Sequence, residues 1–259
     1  MKKIIINMFF KNINIVKLPQ SRNKVIFQCD EQFFNNWGIY NLLSCNDVGQ
    51  DVHIHFINPS TNFLSTVEEI KLDIELSIST EILNTDVNYF KLKSYYFVSR
   101  YFISNMLFDL GLIDTATITD ADIVFNEKIY IPNLVTLGVL HYPQHDNLWK
   151  QTGANYLFVT KERVNFLKNI ITEYNRRLLI TDFESINIDM DKIFRSNLYA
   201  LDQVCMSHVL KTEKEFFNLT SIDNFITKND TGKIWTLTGG KQKQRDDIQQ
   251  KLKNRFNIT

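Results

Sequence analysis

Two aspartates separated by one residue, Asp120 and Asp122, end the apolar, β-branched run in "TATITDADIVF". Alternate side chains of an extended chain point to the same face, so this pattern predicts that both carboxylates face one side while Ala121 faces the other. Two carboxylates placed in this way can bind Mg²⁺ or Mn²⁺, which prefer oxygen ligands and leave positions open for phosphate groups. Two acids that cap a buried strand give the same pattern, so the motif alone leaves both interpretations open.

Strand-length apolar runs alternate with longer segments of helical periodicity. The runs are residues 24–29, 51–58, 73–79, 115–125, 133–140 and 155–160, and the helical segments are 31–45, 92–111 and 161–179. This alternation predicts one Rossmann-like α/β domain with a mainly parallel central sheet, followed by an irregular C-terminal lobe. Such sheets bind ligands at the carboxyl ends of their strands, which is where the two aspartates fall.

Composition restricts the class of protein. The 29 basic and 29 acidic residues cancel, so no overall field selects nucleic acid or an anionic membrane. Three widely spaced cysteines without a CxxC pair argue against a disulfide framework or a structural zinc site. The N-terminal apolar run is interrupted too early for a signal peptide, and no run approaches the ~18 apolar residues that a membrane helix needs. We therefore expect a cytoplasmic protein.

The C-terminal residues 241–259 have a basic composition of their own, with six Lys or Arg residues against two Asp residues. Such a tail could dock peripherally on the inner face of a membrane or on a polyanion. A solvated terminal helix has the same composition, and the segment contains few apolar residues for a membrane face.

Five blocks in a fixed order carry a family resemblance: "VIFQCDEQFFNNWGIYNLLSC", "YYFVSRYF", "TITDADIVF", "GANYLFVT" and "LDQVCMSHVL". The succession resembles retaining glycosyltransferases of the GT-A fold, the family-8-like group related to glycogenin and bacterial lipooligosaccharide galactosyltransferases. The resemblance implies a single nucleotide-sugar-binding domain over residues 1–240 with a basic tail over 241–259. It also implies a hexosyltransferase that uses a UDP-sugar donor and Mn²⁺ or Mg²⁺, with retention of the anomeric configuration.

The resemblance implies binding roles for three groups of residues. Asp30, Gln32 and Phe33 stand where the family holds the nucleotide base, and an acid, an amide and an aromatic ring suit that role. Asp120, Ala121 and Asp122 form the family's D-x-D motif, in which the two acids hold the metal and the segment contacts the donor. Gly239, Gly240 and Lys241, in "IWTLTGGKQK", stand where a family segment covers the diphosphate.

The resemblance also implies catalytic roles for three residues. Arg100 stands where the family carries a basic residue that faces the donor, and a guanidinium binds phosphate or sugar oxygens well. Asp202 and Gln203 match an Asp-Gln pair in which the acid binds sugar hydroxyls and the amide lies near the anomeric carbon. A snorkelling arginine and a first-turn helix acid remain the structural alternatives for Arg100 and Asp202.

The sequence departs from the family pattern at the third metal ligand, because no histidine follows His208. Thr238, water and another carboxylate are the candidate replacements. Two further histidine pairs are open: His53 and His55 suggest a strand that flanks the site or a partly exposed edge, and His141 and His145 suggest acceptor contacts or a surface loop.

Three functions remain in competition after these observations. The first is sugar transfer from a nucleotide donor to an acceptor that could be a glycan, a lipid-linked sugar, a protein or modified nucleic acid. The second is metal-dependent phosphoryl transfer or nuclease chemistry with the same carboxylates, which usually needs more converging acids and a basic groove. The third is an inactive nucleotide-sugar-binding module.

Overall fold

A computed structural model describes residues 13–83, 89–180, 200–228, 230–237 and 242–258. Its strands, in chain order, are β1 (Asn14–Lys17), β2 (Asn23–Cys29), β3 (Val52–Ile57), β4 (Leu76–Glu81), β5 (Thr115–Thr119), β6 (Ile123–Phe125), β7 (Leu137–His141), β8 (Thr152–Thr160), β9 (Phe217–Asn218), β10 (Ile226–Thr227) and β11 (Ile234–Thr236).

Eight strands form the central sheet in the order β1-β4-β3-β2-β5-β8-β7-β9. The strands β4, β3, β2 and β5 run parallel to their neighbours within this group, and β9 runs parallel to β7. The strands β1 and β8 run antiparallel to their neighbours. The expected α/β fold with a mainly parallel central sheet is therefore confirmed.

The helices and the turn that accompany the sheet are α1 (Glu31–Phe33), a π turn (Phe34–Gly38), α2 (Ile39–Asp47), α3 (Thr61–Glu68), α4 (Tyr89–Asp109), α5 (Leu148–Gln151), α6 (Val164–Ile180), α7 (Leu201–Leu210) and α8 (Gln242–Phe256). Gly111, just beyond α4, has a φ of +67°, which is the left-handed conformation of a C-cap glycine. No helix in these described ranges has both the length and the apolar character that crossing a bilayer requires.

The sheet separates two hydrophobic cores. One face packs against α4, α6 and α7 and buries residues such as Ile26, Tyr101 and Leu167. The other face packs against α2 and α3 and buries residues such as Phe27 and Phe56. Strands β2 and β3 are buried on both faces; the apolar run at residues 25–27 predicts this for β2, whereas His53 and His55 interrupt the apolar pattern of β3.

The predicted strand through the D-x-D motif is broken. β5 ends at Thr119, Ala121 and Asp122 form a turn, and the chain then enters a second, three-stranded sheet as β6. The extended geometry that placed the two carboxylates on one face is therefore wrong. The chain changes sheet because β6 pairs with β11, and the Leu237 N–H donates to the Asp122 carbonyl at 2.8 Å.

The C-terminal helix α8 packs on this second sheet rather than standing apart from the fold. Leu252 is fully buried in a cluster with Tyr40, Trp235 and Leu237. Two of its basic side chains have polar partners, because Lys251 pairs with Asp230 and Arg255 donates to the Asn126 side chain. A face of this helix is thus committed to the body of the protein, and the proposed division at residue 240 remains a prediction.

Candidate functional site

A cavity of about 720 Å³ opens at the carboxyl ends of β2 and β5, and we call it the carboxyl-end cavity. Eight of the residues singled out by sequence line it: Asp30, Phe33, Arg100, Asp120, Ala121, Asp122, Asp202 and Gln203. Its other lining residues are Gln28, Cys29, Leu92, Lys93, Tyr96, Phe97, Ala154 and Ala200. Carboxyl ends of neighbouring parallel strands meet at one edge of a sheet, which explains why distant segments converge here.

The backbone around the D-x-D turn is held by contacts from two elements, α2 and β8. The Asn41 amide of α2 donates to the Asp120 carbonyl at 3.0 Å, and the Asp120 N–H donates to the Asn155 carbonyl at 3.4 Å. Ser44, one turn after Asn41, accepts from the Phe125 N–H at 3.0 Å. These contacts place both carboxylates and Ala121 on the cavity although the chain is not extended there.

The two D-x-D acids differ in their exposure to water. The Asp120 side chain is 34% exposed, whereas Asp122 is 5% exposed. Burial, and next the negative charge of Asp120, raise the pKa of the Asp122 carboxyl to about 7, against an opposing effect of Arg100 and Arg245. The negative charge at this turn is therefore incompletely compensated by the protein's own cations.

The lining of the cavity suits a divalent cation that is shared with a ligand. The described lining carries four aspartates and two basic side chains, Lys93 and Arg100. When all six are ionised, two negative charges are left over, and one divalent cation would neutralise them. The described residues include no cluster of three His, Cys, Asp or Glu side chains able to hold a metal. Mg²⁺ is usually bound by one or two carboxylates together with substrate phosphates, and Asp120 and Asp122 fit that arrangement.

Arg100 links the D-x-D turn to the Asp-Gln pair. Its guanidinium forms an ion pair with Asp120 and donates to Asp202 at 2.7 Å. Arg100 is 2% exposed and Asp202 is 4% exposed, so the snorkelling alternative for Arg100 is wrong. Burial raises the pKa of Asp202 to about 6, with the positive charge of Arg100 opposing and the charge of Asp120 adding to that rise.

The Asp-Gln pair begins helix α7, whose position is fixed by hydroxyl contacts. Thr152 of β8 donates to the Gln203 carbonyl at 3.0 Å and contacts the Ser207 hydroxyl at 2.9 Å. Ser207 in turn donates to the Leu148 carbonyl at 2.7 Å. Asp202 is buried beside Arg100, and the half-buried Gln203 lines the cavity.

The residues expected at the base end are divided by the local helix. Asp30 is the N-cap of α1, and its Oδ1 accepts from the Phe33 N–H at 2.7 Å. Capping with one oxygen leaves the second carboxylate oxygen able to accept from a ligand. Phe33 lines the cavity, but Gln32 is exposed to solvent and is not part of the lining.

Sequence reasoning selected Arg100 but missed the other lining residues of helix α4, which are Leu92, Lys93, Tyr96 and Phe97. Lys93, Tyr96, Phe97 and Arg100 follow an i, i+3, i+4, i+7 pattern, which places them on one face of the helix. This stripe has a basic residue at each end, but Tyr95 and Phe102, on the core side, made the whole helix resemble core. Asn41, which supports the D-x-D turn, was not among the predicted site residues.

Four predicted residues, Thr238, Gly239, Gly240 and Lys241, lie outside the described residues. The last described residue before them is Leu237, whose N–H donates to the Asp122 carbonyl at 2.8 Å.

The histidine pairs do not line the cavity. His53 and His55 are buried in the interior strand β3 and contact Ser77 and Ser79 of β4, so the expectation of an exposed edge is wrong. His141 is half-buried against Phe216, and His145 is exposed to solvent. Neither histidine lines the cavity, so the structure gives no support for their contact with a ligand there.

Comparison with known proteins adds no family to this geometry. No protein-family model and no curated protein matches the chain. Interpretation of the site therefore depends on its residues and their arrangement.

Proposed function

We propose that the protein is a metal-dependent glycosyltransferase of GT-A type that transfers a hexose from a nucleotide-diphosphate donor, most simply UDP-hexose, with retention. The observation that supports this proposal best is the convergence of Asp30, Arg100, Asp120, Asp122 and Asp202 on one cavity. These residues come from four separated segments of the chain. A cavity of about 720 Å³ also lies within the usual range for small-molecule sites.

Each residue has a binding role in this proposal. Asp120 and Asp122 would hold Mn²⁺ or Mg²⁺ together with the diphosphate oxygens of the donor. The cation, when bound, would neutralise negative charge that develops on the leaving nucleotide. Asp202, held by Arg100, would accept hydrogen bonds from the hydroxyls of the transferred sugar, and the Gln203 amide would lie beside the anomeric carbon.

The base end of the donor would lie near Asp30 and Phe33. A carboxylate oxygen accepts from a base N–H, and the exposed ring of Phe33 offers a stacking surface. The acceptor in this proposal is a glycan, a lipid-linked sugar, a protein or modified nucleic acid, and the site does not distinguish among these four classes. It places the protein in the cytoplasm, with the basic residues of α8 available for peripheral contact with a membrane or polyanion.

A donor screen tests the proposal. The protein is incubated with a panel of nucleotide sugars and Mn²⁺ or Mg²⁺, with and without a chelator, and released nucleotide is measured. We expect release from a UDP-hexose that needs the cation and is lost in Asp120→Asn and Asp122→Asn. Asp109→Asn, at the exposed C-terminal end of α4, is the matched control and should keep full activity.

The outcomes separate the competing functions. Full activity in both D-x-D variants would overturn the proposed roles of these acids. Binding of UDP without turnover of any donor would indicate a binding module instead. Cleavage of nucleic acid by the same carboxylates, without nucleotide-sugar turnover, would indicate nuclease chemistry.

A further inference from the structure

Five buried polar side chains form a continuous row inside the sheet, on strands β3 and β4, and we call them the polar row. The Nδ1 and Nε2 atoms of His53 lie 3.0 and 2.8 Å from the hydroxyls of Ser77 and Ser79. The Ser79 hydroxyl also lies 2.9 Å from His55 Nδ1, and His55 Nε2 lies 3.4 Å from Glu81 Oε2. Each of the five is at most 1% exposed, so their hydrogen bonds must be satisfied by one another.

The direction of these hydrogen bonds is set at Ser77. Its hydroxyl donates to the Val52 carbonyl at 3.1 Å, and a hydroxyl has one hydrogen. Ser77 can therefore only accept from His53, which must carry a hydrogen on Nδ1. Burial, and next the charges of His55 and Lys24, lower the pKa of His53 to about 3, so this ring is neutral and its Nε2 is an acceptor.

The same count of hydrogens fixes the rest of the polar row. Ser79 must donate its hydrogen to His53 Nε2, so it can only accept from His55, whose Nδ1 carries a hydrogen. A neutral His55 would then present the lone pair of Nε2 to the Glu81 carboxylate in a fully buried site. Two acceptors that face each other without water are costly, and one further hydrogen between them removes the conflict.

The charge of Glu81 leads to the same requirement independently. Its Oε2 accepts from the Tyr95 hydroxyl of α4 at 2.6 Å, and its Oε1 has no hydrogen-bond partner among the described residues. Its ion partner in the described part of the chain is His55. A buried carboxylate needs a compensating cation, and a doubly protonated His55 supplies one.

We propose that the folded protein holds one extra proton between His55 and Glu81, as an imidazolium paired with a carboxylate, and that this proton makes the attachment of α4 to the sheet depend on pH. The attachment runs through Tyr95, which shares Glu81 Oε2 with His55. Loss of the proton would set a lone pair against the carboxylate and weaken this anchor. Because α4 also carries Arg100, a wall of the carboxyl-end cavity depends on a proton that lies outside it. The inference does not require the proposed function.

The other titratable groups around this pair, among the described residues, come from four elements. His53 of β3 is neutral, and Lys24 of β2 is paired with Glu75 at 2.9 Å. Burial raises the pKa of Tyr95 on α4 and of its neighbour Tyr174 on α6, so both phenols keep their hydrogens at neutral pH. The pair is therefore the place on this face of the sheet where a proton can be gained on folding.

Nitrogen NMR of the intact protein with isotope-labelled histidine tests the proton directly. At about pH 8 a histidine of an unfolded chain is neutral and has one N–H. We expect one ring that still has hydrogens on both nitrogens at this pH. In Glu81→Gln this ring should become neutral, because the amide offers its own hydrogen to His55 Nε2. Absence of a doubly protonated ring in the original protein, or its persistence in Glu81→Gln, would overturn the proposal.

The pH dependence of urea unfolding gives a second measurement. The unfolded chain releases its histidine protons above about pH 6.5, whereas the folded protein keeps the one at His55, so stability falls as the pH rises. Between about pH 7.5 and 8.5, the unfolding equilibrium constant should rise about tenfold more in the original protein than in Glu81→Gln. The exposed control His145→Gln should keep the steeper rise. Equal slopes for the original protein and Glu81→Gln would exclude the extra proton.

Hydrogen exchange tests the link to α4. Exchange of the α4 amides, corrected for the intrinsic effect of pH, should become faster between about pH 7.5 and 8.5 in the original protein and stay constant in Glu81→Gln. An equal change in both proteins would overturn the link.

Discussion

Replacing Arg100 with methionine should destabilise the fold, because this arginine is the cation shared by two carboxylates. The substitution leaves Asp202, which is 4% exposed, without the donor that now lies at 2.7 Å. Removing one partner of a buried ion pair costs about 3–5 kcal/mol. The Asp120 side chain is 34% exposed and can be rehydrated. We therefore expect a loss near the lower limit, about 3 kcal/mol in the free energy of unfolding.

A double-mutant cycle isolates the cause of this loss. Asp202→Asn removes the stranded charge, so the double variant should recover about 2 kcal/mol relative to Arg100→Met alone. Urea unfolding measures each free energy, and Arg22→Met, which removes an exposed pair with Asp114, should cost no more than about 1 kcal/mol.

The pH dependence of Arg100→Met has a definite sign. Without the arginine, the pKa of Asp202 rises further above its value in the unfolded chain, because the charge that opposes the effect of burial is lost. A raised carboxyl pKa stabilises the fold at low pH and destabilises it as the pH rises through that pKa. The loss should therefore be smaller at about pH 5 than at about pH 8. Strict additivity of the two substitutions, or a loss below about 1 kcal/mol, would refute the reasoning.

Three further predictions follow from buried groups. Burial, with the charges of His55 and Lys24, lowers the pKa of His53 to about 3, so the fold should lose stability as the pH falls below about 6.5. In His53→Gln, the free energy of unfolding measured with urea should fall less steeply below that pH, by about 1.4 kcal/mol per pH unit. Equal slopes in the variant and the original protein would contradict this prediction. Asn41→Ala should lower the free energy of unfolding by about 1–2 kcal/mol, because it removes the amide that donates to the Asp120 carbonyl. It should also weaken Mn²⁺-dependent UDP binding in calorimetry, and unchanged binding would show that the D-x-D turn does not need this amide. Leu252→Ala should lower the free energy of unfolding by about 2–5 kcal/mol and make α8 susceptible to limited proteolysis, because Leu252 is fully buried. Lys253→Ala, at an exposed position, should change neither property. Equal protease resistance of the two variants would disprove the packing of α8.

Most of the central sheet was predictable because buried strands and amphipathic helices leave strong periodic signals. The run at 24–29 corresponds to β2 and the helical segment at 161–179 to α6. The break after Thr119 was not predictable, since the sequence from 115 to 125 is continuously strand-like. The break depends on the pairing of β6 with β11 and on contacts from Asn41, which local sequence does not encode.

The candidate site shows the same division. Asp30, Arg100, Asp120 and Asp202 line one cavity, and topology explains this for Asp30 and Asp120, which follow the neighbouring parallel strands β2 and β5. Gln32 was assigned to the base end but is exposed and outside the lining, because α1 and the π turn that follows it set which side chains reach the cavity.

The buried histidines were misjudged for a related reason. His53 and His55 alternate with apolar residues and look like one face of an edge strand. They are accommodated inside the sheet because serines on the neighbouring strand β4 offer hydroxyls at 2.8–3.0 Å. Such cross-strand pairing depends on the order and register of the strands, which the sequence of a single strand does not specify.

The structure of the protein in complex with UDP and Mn²⁺ tests the central claim most directly. The account predicts one metal ion bonded to oxygens of Asp120 and Asp122 and to the diphosphate, with the base near Asp30 and Phe33. A nucleotide bound outside the carboxyl-end cavity, or a cation that contacts neither aspartate, would contradict it.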